Sequence, residues 1–404
     1  MALLSALFGG SDRDRFAAKV IARLKARGWT GPAPEYSSET YSLKLDDEHR
    51  VFLKNGFVAW ARAKGAEKDR QIDVAIGFLF EPKRDGSFAE AKPYLLPALR
   101  NRADLTNLWL APGSEQVRDA YDGAMRAFCD DLVIALVIDS ETAMKFVTRQ
   151  MLADWNTSFD EAFEVALGNL RAVSPCKFER DPGGYWVSDF GDHHDAARLL
   201  LPHLLEHLNV RGDPIAVVLD RTAVLAAGSE EPAALEQMAA FAEGNYGKTD
   251  RPLACTPLVF RNGAWARLGR GSEGSRALDR LRVLQALRDY TEQKALLDAH
   301  YRAINEDIFV AGLRSAAHEA GGDTWAMWMQ AINTLLPRAD VIALARGSGD
   351  QMESRSRFWA DVEAEFGPFT PETHLYPPRY RLSDWPADAW ERIEALPKPA
   401  WAKS

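Results

Sequence analysis

The chain has 404 residues, of which 47% are hydrophobic and 26% are charged, and its formal net charge is −9. This length predicts two or three domains, and 12 Trp, 19 Phe and 10 Tyr residues supply enough apolar area to exclude disorder as the main state. Nucleic-acid binders usually carry a basic surplus that displaces counterions. We therefore expect no nucleic-acid partner.

Cysteine usage and the lack of targeting segments point to the cytoplasm. Cys129, Cys176 and Cys255 are few and far apart, which is typical of inert, buried thiols in a reducing compartment. Residues 1–10 are apolar but lack the basic region of a signal peptide. The longest other apolar run, Leu132 to Ile138, is far below the roughly 20 residues that a membrane span requires. The sequence predicts a cytoplasmic protein without stable membrane insertion.

The first quarter of the chain predicts helices around one hairpin. Residues 12–28 carry apolar side chains at helical spacing, and residues 41–53 alternate around a polar turn. Residues 56–79 predict a helix. Four prolines make residues 81–114 a predicted loop-rich connection.

The middle of the chain predicts strands joined by hairpins and separated by single helices. Leu132 to Asp139 is typical of a strand buried on both faces. Ser158 and Glu161 have the spacing of a capping box at a helix start. Turn chemistry at 181–184 and at Asn262-Gly263 predicts two hairpins. The sequence also predicts a helix from Asp195 through Leu208 and a pair of strands over 215–219 and 223–227.

A glycine-rich stretch, Gly269 to Ser275, predicts a linker before a C-terminal region. The region starts with a helix over 278–303. Two strands around Gly321-Gly322 and a third over 341–345 follow, with one helix through 324–336 as the alternative. The last 37 residues contain seven prolines and predict an irregular tail that Trp385 and Trp390 pin to the body of the protein.

These elements predict an α+β fold with mostly antiparallel hairpins interrupted by single helices, plus a C-terminal α+β extension. The predicted division is an α+β region over 1–268, a linker over 269–276 and the extension over 277–404. A further split of the first region into 1–80 and 81–268 stays open.

Several segments of the first region resemble, in their order, a known family. They are Leu95-Leu96-Pro97-Ala98-Leu99-Arg100, Ala135 to Asp139, Met144 to Thr148, Ala166 to Leu170, Asp195 to Leu200 and Asp220-Arg221. From about residue 15 to 268 the chain resembles the YtpQ-like family of uncharacterised bacterial cytosolic proteins. The resemblance implies no activity, cofactor or catalytic residue.

His203-Leu204-Leu205-Glu206-His207 matches the H-x-x-E-H pattern of inverted zinc peptidases. Two imidazoles one helical turn apart could bind zinc, and Glu206 could deprotonate the metal-bound water. The apolar stripe of the same helix leaves all three side chains on a solvated face. A zinc site would also require a third ligand, for which Glu236, Glu243 and Glu273 are unranked candidates. We favour the solvated face.

Carboxylates near strand ends are the other candidate site residues. Asp192-His193-His194 spells the triplet of a phosphoesterase superfamily, but a helix entry explains it more simply. Asp130-Asp131, Asp139 and Asp220 flank predicted strands and could converge on a Mg²⁺ or acid–base site, although Asp is also a common turn residue. Whether Asp139, Asp192 and Asp220 converge stays open.

No phosphate-binding glycine loop or nucleophile elbow occurs, so no cofactor is predicted. We expect a protein that binds another macromolecule, most simply another protein, through its N-terminal apolar segment and its aromatic tail. The alternative is a metal-dependent hydrolase that uses zinc at His203, Glu206 and His207.

Overall fold

The computed structural model describes residues 11–46, 50–80, 84–110, 124–140, 144–249, 252–271, 276–316, 322–386 and 388–402. Contacts divide the chain into two compact units, Met1–Tyr94 with Ile138–Lys145 and Leu95–Val137 with Phe146–Ser404. Helices and mostly antiparallel sheets confirm the predicted α+β class. None of the described helices is long and apolar enough to cross a membrane.

The N-terminal unit is built on the helix predicted at its start. The Oδ2 atom of Asp14 accepts a hydrogen bond of 3.0 Å from the Ser11 amide at the helix start. Phe16, Val20 and Leu24 are buried, as their helical spacing predicts. The elements of this unit are α1 (Asp12–Ala26), β1 (Glu35–Ser37), β2 (Ser42–Lys44), β3 (Arg50–Phe52), α2 (Lys54–Arg62), α3 (Glu67–Gly77) and α4 (Phe88–Ala91).

In the N-terminal unit the predicted hairpin is present, but the predicted long helix is divided into two. The hairpin over 41–53 is confirmed, since β2 and β3 pair antiparallel and β1 adds a third strand. The single helix over 56–79 is wrong. The first helix ends before Ala63, whose backbone is extended, and Gly65, with φ of +57°, turns the chain before α3.

The larger unit opens with a strand where the sequence predicts a loop. β4 (Leu95–Asn101) contains Pro97, and the strand lies at the end of the order β4-β6-β5. An edge position accommodates a proline, because the missing N–H is not required by a second neighbour. The neighbouring elements are α5 (Arg102–Leu110), β5 (Met125–Cys129), β6 (Leu132–Asp139), β7 (Met144–Phe146), α6 (Arg149–Asp154) and α7 (Phe159–Ala172). The buried strand β6 is confirmed.

A six-stranded antiparallel sheet forms the centre of the larger unit, in the order β13-β12-β10-β11-β9-β8. Asn262 and Gly263 have φ of +54° and +77°, as a two-residue hairpin of the predicted kind requires. The elements are β8 (Phe178–Arg180), β9 (Trp186–Ser188), β10 (Pro214–Asp220), β11 (Ala223–Gly228), α9 (Pro232–Asn245), β12 (Ala254–Arg261) and β13 (Ala264–Arg267).

The predicted helix over 195–208 is broken. A 3-10 segment, Ala196–Leu200, comes first, and α8 (His203–Glu206) follows Pro202. Proline lacks the N–H that would continue the helical ladder, which accounts for the break. Asp195 has helical backbone angles and is not a cap; its Oδ1 atom accepts a hydrogen bond of 3.2 Å from the Phe190 amide instead.

One long helix, α10 (Arg276–Ala303), belongs to two hydrophobic cores. Leu278 and Leu281 are fully buried in the core that also contains β10, β11 and β12, whereas Tyr290 packs in the core of the C-terminal sheets. The predicted linker therefore does not separate two independent bodies. The division of the chain lies at residue 94, nearer to the alternative split at 80, and residues 272–275 of the linker lie outside the described residues.

The C-terminal region contains two small sheets, β15-β16-β18-β19 and β14-β17-β20. Arg314–Ala316 pairs antiparallel with Asp323–Met329, which confirms a hairpin there and shows that the alternative helix over 324–336 is wrong. Gly321 of its turn lies outside the described residues. The elements are β14 (Phe309–Val310), β15 (Arg314–Ala316), β16 (Asp323–Met329), β17 (Thr334–Pro337), β18 (Val341–Arg346), β19 (Glu353–Phe358) and α11 (Trp359–Phe366).

The tail is docked, but it is not irregular throughout. Trp385 and Trp390 are 5% and 8% exposed, and Trp385 packs against both Trp328 and Trp390, which confirms the predicted anchoring. The tail also contributes β20 (Arg379–Leu382), which pairs with β17, and the short helix α12 (Ala389–Arg392). The prolines of the tail lie outside these two elements, so every residue within them keeps the backbone N–H group that hydrogen bonding requires.

Candidate functional site

The larger unit contains a cavity of about 340 Å³. More than half of the residues that line it are arginine, aspartate or tyrosine. One face of α10 forms a wall of the cavity. The rest of the lining comes from the turn between β5 and β6, from β12, from the end of β13 and Arg270 after it, from the start of β16, from the turn between β17 and β18, and from the segment before β20. The charged and aromatic lining residues are Asp130, Asp131, Arg267, Arg270, Asp279, Arg282, Asp289, Tyr290, Arg338, Asp340 and Tyr376. We call this the arginine–aspartate cavity.

Asp131 is a buried carboxylate of this cavity with one oxygen hydrogen-bonded and one oxygen unpaired among the described residues. Its Oδ1 atom accepts hydrogen bonds of 2.7 Å from Nη2 of Arg267 and 2.7 Å from the Tyr376 hydroxyl. Its Oδ2 atom is buried and has no hydrogen-bond partner within the part of the chain that the structure describes. Burial together with the Asp131 charge holds the pKa of Tyr376 well above its usual value, so the hydroxyl stays a donor.

Whereas Asp131 carries a buried acceptor atom without a donor, Arg282 carries a buried donor atom without an acceptor among the described residues. Its Nη2 atom forms an ion pair with Asp279, one helical turn earlier on α10. Its Nε atom is buried without an acceptor among the described residues. Burial is the main cause that lowers the pKa of Arg282, and the charges of Arg267 and Arg270 add to it against the attraction of Asp279.

The other two cavity arginines are tied to the C-terminal sheets. Arg270 forms ion pairs of 2.5 Å with Asp323 and 2.9 Å with Asp340. The guanidinium of Arg338 lies 4.4 Å from the centre of the Trp359 ring, as in a cation–π contact. Arg270 comes from the predicted linker, so this residue of the linker is part of the cavity wall.

The α10 wall of the cavity also carries a buried polar network, which includes the lining residues Gln285 and Asp289. Oε1 of Gln285 accepts hydrogen bonds of 2.8 Å from the Tyr246 hydroxyl and 2.7 Å from the Cys255 amide. Nε2 of Gln285 donates to Asp289 over 2.7 Å, and Nη1 of Arg288 donates to the other oxygen of Asp289 over 2.9 Å. Burial raises the pKa of Asp289 to about 7, although the hydrogen bond from Gln285 and the charge of Arg288 oppose the shift.

The residues of the H-x-x-E-H pattern lie outside this cavity. Glu206 and His207 are exposed and His203 is partly exposed, and the Nδ1 atom of His207 lies 2.5 Å from the carbonyl oxygen of His203 on α8. Among the described residues, no group of three or more His, Cys, Asp or Glu side chains has the arrangement of a metal site. The zinc alternative stays a prediction.

The predicted carboxylates at strand ends have different roles. Asp192 forms a bidentate pair with Arg198, with distances of 2.8 and 2.6 Å, and the Arg198 guanidinium lies 3.7 Å from the centre of the Phe190 ring. Burial alone would raise the pKa of Asp192, but the hydrogen bonds from Arg198 and from the His194 amide lower it to about 2. Asp192 is thus a structural anion.

Of the remaining carboxylates, only the pair before β6 reaches the cavity. Oδ1 of Asp220 accepts hydrogen bonds of 2.7 Å from both the amide and the hydroxyl of Thr222, which is the ordinary role of a turn aspartate. Asp139 belongs to the N-terminal unit. Asp130 and Asp131 are therefore the two candidates that the structure places in the arginine–aspartate cavity.

The thiols differ in their surroundings. Burial and the neighbouring Asp130 and Asp131 raise the pKa of Cys129 to about 12, and burial holds the pKa of Cys255 well above its usual range. Both groups stay protonated at neutral pH. Cys176 is exposed, so the expectation of three buried thiols is wrong for this residue.

Sequence reasoning missed the arginines of the cavity and Tyr376. The available signal was on α10, where Asp279, Gln285, Asp289 and Gln293 interrupt an otherwise apolar buried stripe and are each less than 5% exposed. Buried polar side chains at core positions of a helix indicate either a structural network or a site. Arg267 and Arg270 carried no such signal, because Arg267 ends the second strand of a hairpin and Arg270 lies in the glycine-rich stretch.

Comparison of the chain with protein-family models, with curated proteins and with solved structures finds no match.

Proposed function

We propose that this protein binds a small polar ligand in the arginine–aspartate cavity. The observation that carries the proposal is the Oδ2 atom of Asp131, which is buried in the cavity wall without a hydrogen-bond donor among the described residues. Leaving a buried charged acceptor unsatisfied costs about 1–3 kcal/mol or more. A bound ligand that donates to this oxygen recovers that free energy.

The opposite requirement at Arg282 supports the same proposal. Its Nε donor is buried and lacks an acceptor in the described part of the chain. Two side chains that line the cavity thus carry one unused acceptor and one unused donor, and a polar ligand bound between them would supply the missing partners. A volume of about 340 Å³ lies at the lower end of the range of about 300–1,000 Å³ found for small-molecule sites.

Thermal unfolding of the full-length protein tests this proposal. The probes are amino acids, inorganic phosphate, dicarboxylates such as succinate, and uncharged sugars. A ligand present at 100 times its Kd stabilises the folded state by about 2.7 kcal/mol. We expect at least one class to raise the Tm, and the increase to be absent in both Asp131→Asn and Arg282→Gln.

Matched variants on exposed positions provide the controls. Asp160 is 80% exposed and Arg211 is 72% exposed, and neither lines the cavity. Asp160→Asn and Arg211→Gln should keep the ligand-induced increase in Tm. A wild-type protein that responds to no probe, or an increase that survives in both cavity variants, would contradict the proposal.

The two functions predicted from the sequence stay predictions. The buried state of Trp385 and Trp390 leaves these side chains unavailable as a contact surface for a protein partner, and the N-terminal apolar segment lies outside the described residues. Zinc analysis of the purified protein and of His203→Ala tests the hydrolase alternative. One equivalent of zinc that is lost in the variant would support it.

A further inference from the structure

We infer that the ligand of the arginine–aspartate cavity is a small zwitterion, whose cationic amine pairs with Asp131 and whose carboxylate pairs with Arg282. This inference rests on the proposed function and names the chemical class of the ligand. It follows from the balance of charge in the cavity, from the atoms that are already paired, and from the apolar part of the lining.

The charges that line the cavity nearly cancel. Four arginines face five aspartates, namely Arg267, Arg270, Arg282 and Arg338 against Asp130, Asp131, Asp279, Asp289 and Asp340. Sites for phosphate or for dicarboxylates have an excess of guanidinium and ammonium groups over carboxylates. A strongly anionic or cationic ligand would be attracted by one set of these side chains and repelled by the other. A ligand with separated charges and no net charge fits both sets.

Most of these charged groups are already paired within the protein. Arg270 is held by Asp323 and Asp340, and Oδ2 of Asp340 also accepts hydrogen bonds of 2.8 Å from the amide and the hydroxyl of Thr324. Both oxygens of Asp289 are hydrogen-bonded within α10. These groups shape the cavity, but their hydrogen-bonding capacity is largely used.

Asp131 and Arg282 differ from the other charged residues of the cavity, because each has a buried polar atom without a hydrogen-bond partner among the described residues. Two donors converge on Oδ1 of Asp131 and none of the described residues donates to its Oδ2 atom. An ammonium group has three donors and no acceptor, so it satisfies such an oxygen without a new mismatch. The planar guanidinium of Arg282 is suited to a carboxylate, and its Nε atom has no acceptor among the described residues.

The uncharged part of the lining suits the remainder of a small amino acid. Val283 and Ala286 lie on the α10 wall, and Tyr290, Pro377 and Pro378 complete an apolar side of the cavity. Such a surface can bury a short aliphatic group between the two charged ends of a ligand. The zwitterionic class that fits this division is the α-amino acids.

Calorimetric titration of the full-length protein with each of the twenty L-amino acids tests the inference. The best binder is then compared with its N-acetyl derivative, which lacks the cationic amine, and with its carboxamide, which lacks the carboxylate. We expect each derivative to bind at least about tenfold more weakly, because each leaves one buried charged group unpaired. Succinate, inorganic phosphate and glucose are titrated in parallel.

Variants assign each end of the ligand. Asp131→Asn should weaken binding of the free amino acid by about tenfold or more and change binding of the N-acetyl derivative by less than about twofold. Arg282→Gln should show the same pattern with the carboxamide. Asp160→Asn and Arg211→Gln serve as matched controls, and thermal unfolding of every variant confirms that it is folded. The comparison of derivatives on the wild-type protein needs no variant.

The possible results separate the two proposals. If succinate, phosphate or glucose binds in the cavity and no amino acid does, the zwitterion inference is wrong and the proposed function stands. The same conclusion follows if the two derivatives bind as tightly as the free amino acid. If none of these probes binds, the inference and the proposed function both fail.

Discussion

The hydroxyl of Tyr376 donates a hydrogen bond of 2.7 Å to Oδ1 of Asp131, across 245 positions of the chain. Asp131 lies in the turn between β5 and β6, whereas Tyr376 immediately precedes Pro377 in the C-terminal region. The guanidinium of Arg102 lies 4.2 Å from the centre of the same tyrosine ring. This contact connects the first sheet of the larger unit to the tail and fixes one wall of the arginine–aspartate cavity.

Removal of this hydroxyl should destabilise the protein. Tyr376→Phe leaves the Asp131 carboxylate with Arg267 as its only side-chain donor among the described residues. A hydrogen bond to a charged group contributes about 1.5–3 kcal/mol, so we expect the free energy of unfolding to fall by that amount in urea titrations. Tyr380→Phe is the control, because the Tyr380 hydroxyl makes no hydrogen bond to any described residue. Equal effects of the two substitutions would contradict the role given to Tyr376.

Stability should depend on pH through Asp289. Its pKa is raised to about 7 by burial, against about 3.9 in an unfolded chain. The folded state therefore holds a proton over a range in which the unfolded chain releases it. The free energy of unfolding falls as the pH rises from about 4 to about 7, by up to about 1.4 kcal/mol per pH unit from this group.

Urea unfolding at several pH values between 4.5 and 8 measures this effect. Asp289→Asn should flatten the dependence, because the amide does not ionise, and its stability relative to wild type should improve toward pH 8. Asp160→Asn, at an exposed position, should leave the dependence unchanged. A wild-type protein whose stability rises steadily from pH 5 to pH 7 would show that Asp289 does not control the profile.

The docked tail should contribute strongly to stability. Trp385 is 5% exposed and lies between Trp328 and Trp390, with ring centres 6.3 and 5.7 Å away. Truncation of a buried tryptophan to alanine costs about 3–5 kcal/mol, so Trp385→Ala should lower the Tm markedly in calorimetry. Phe358→Ala removes an aromatic side chain that is 37% exposed and should cost less than half as much. A tail that contributes nothing would give the two variants the same Tm.

A fragment that ends at residue 268 should not fold cooperatively. Leu278 and Leu281 of α10 are fully buried in the core that contains β10 and β12. Their removal exposes the apolar face of the six-stranded sheet, at a cost of roughly 25 cal/mol per Å² of uncovered apolar area. We expect residues 1–268 to precipitate or to lack a thermal transition that the full-length protein shows. A sharp transition in the fragment would restore the predicted boundary at 269–276.

Local sequence patterns predicted most elements of this fold correctly. The hairpin at Asn262-Gly263, the helix after Ser158 and the buried strand before Asp139 each depend on residues within a few positions of one another. Oγ of Ser158 accepts a hydrogen bond of 3.1 Å from the Glu161 amide, as the capping spacing predicts. One wrong prediction was the loop over 81–114, which was inferred from its prolines. Pro97 of that stretch lies in strand β4, because the edge of a sheet accommodates a residue without an N–H group.

The division of the chain and the candidate site depended on tertiary structure. Asp131 was visible in the sequence as a residue next to a buried strand, but its partners Arg267 and Tyr376 lie 136 and 245 positions away. Hydrophobic periodicity specifies which face of an element is buried, and it carries no information on which distant element covers that face. The sequence by itself therefore determined the α+β class and most of the local elements. Only the packing of α10 between two cores decided that Arg270 of the predicted linker lines a charged cavity, because burial of Leu278 and Tyr290 on the same helix joins the regions that the glycines separate in sequence.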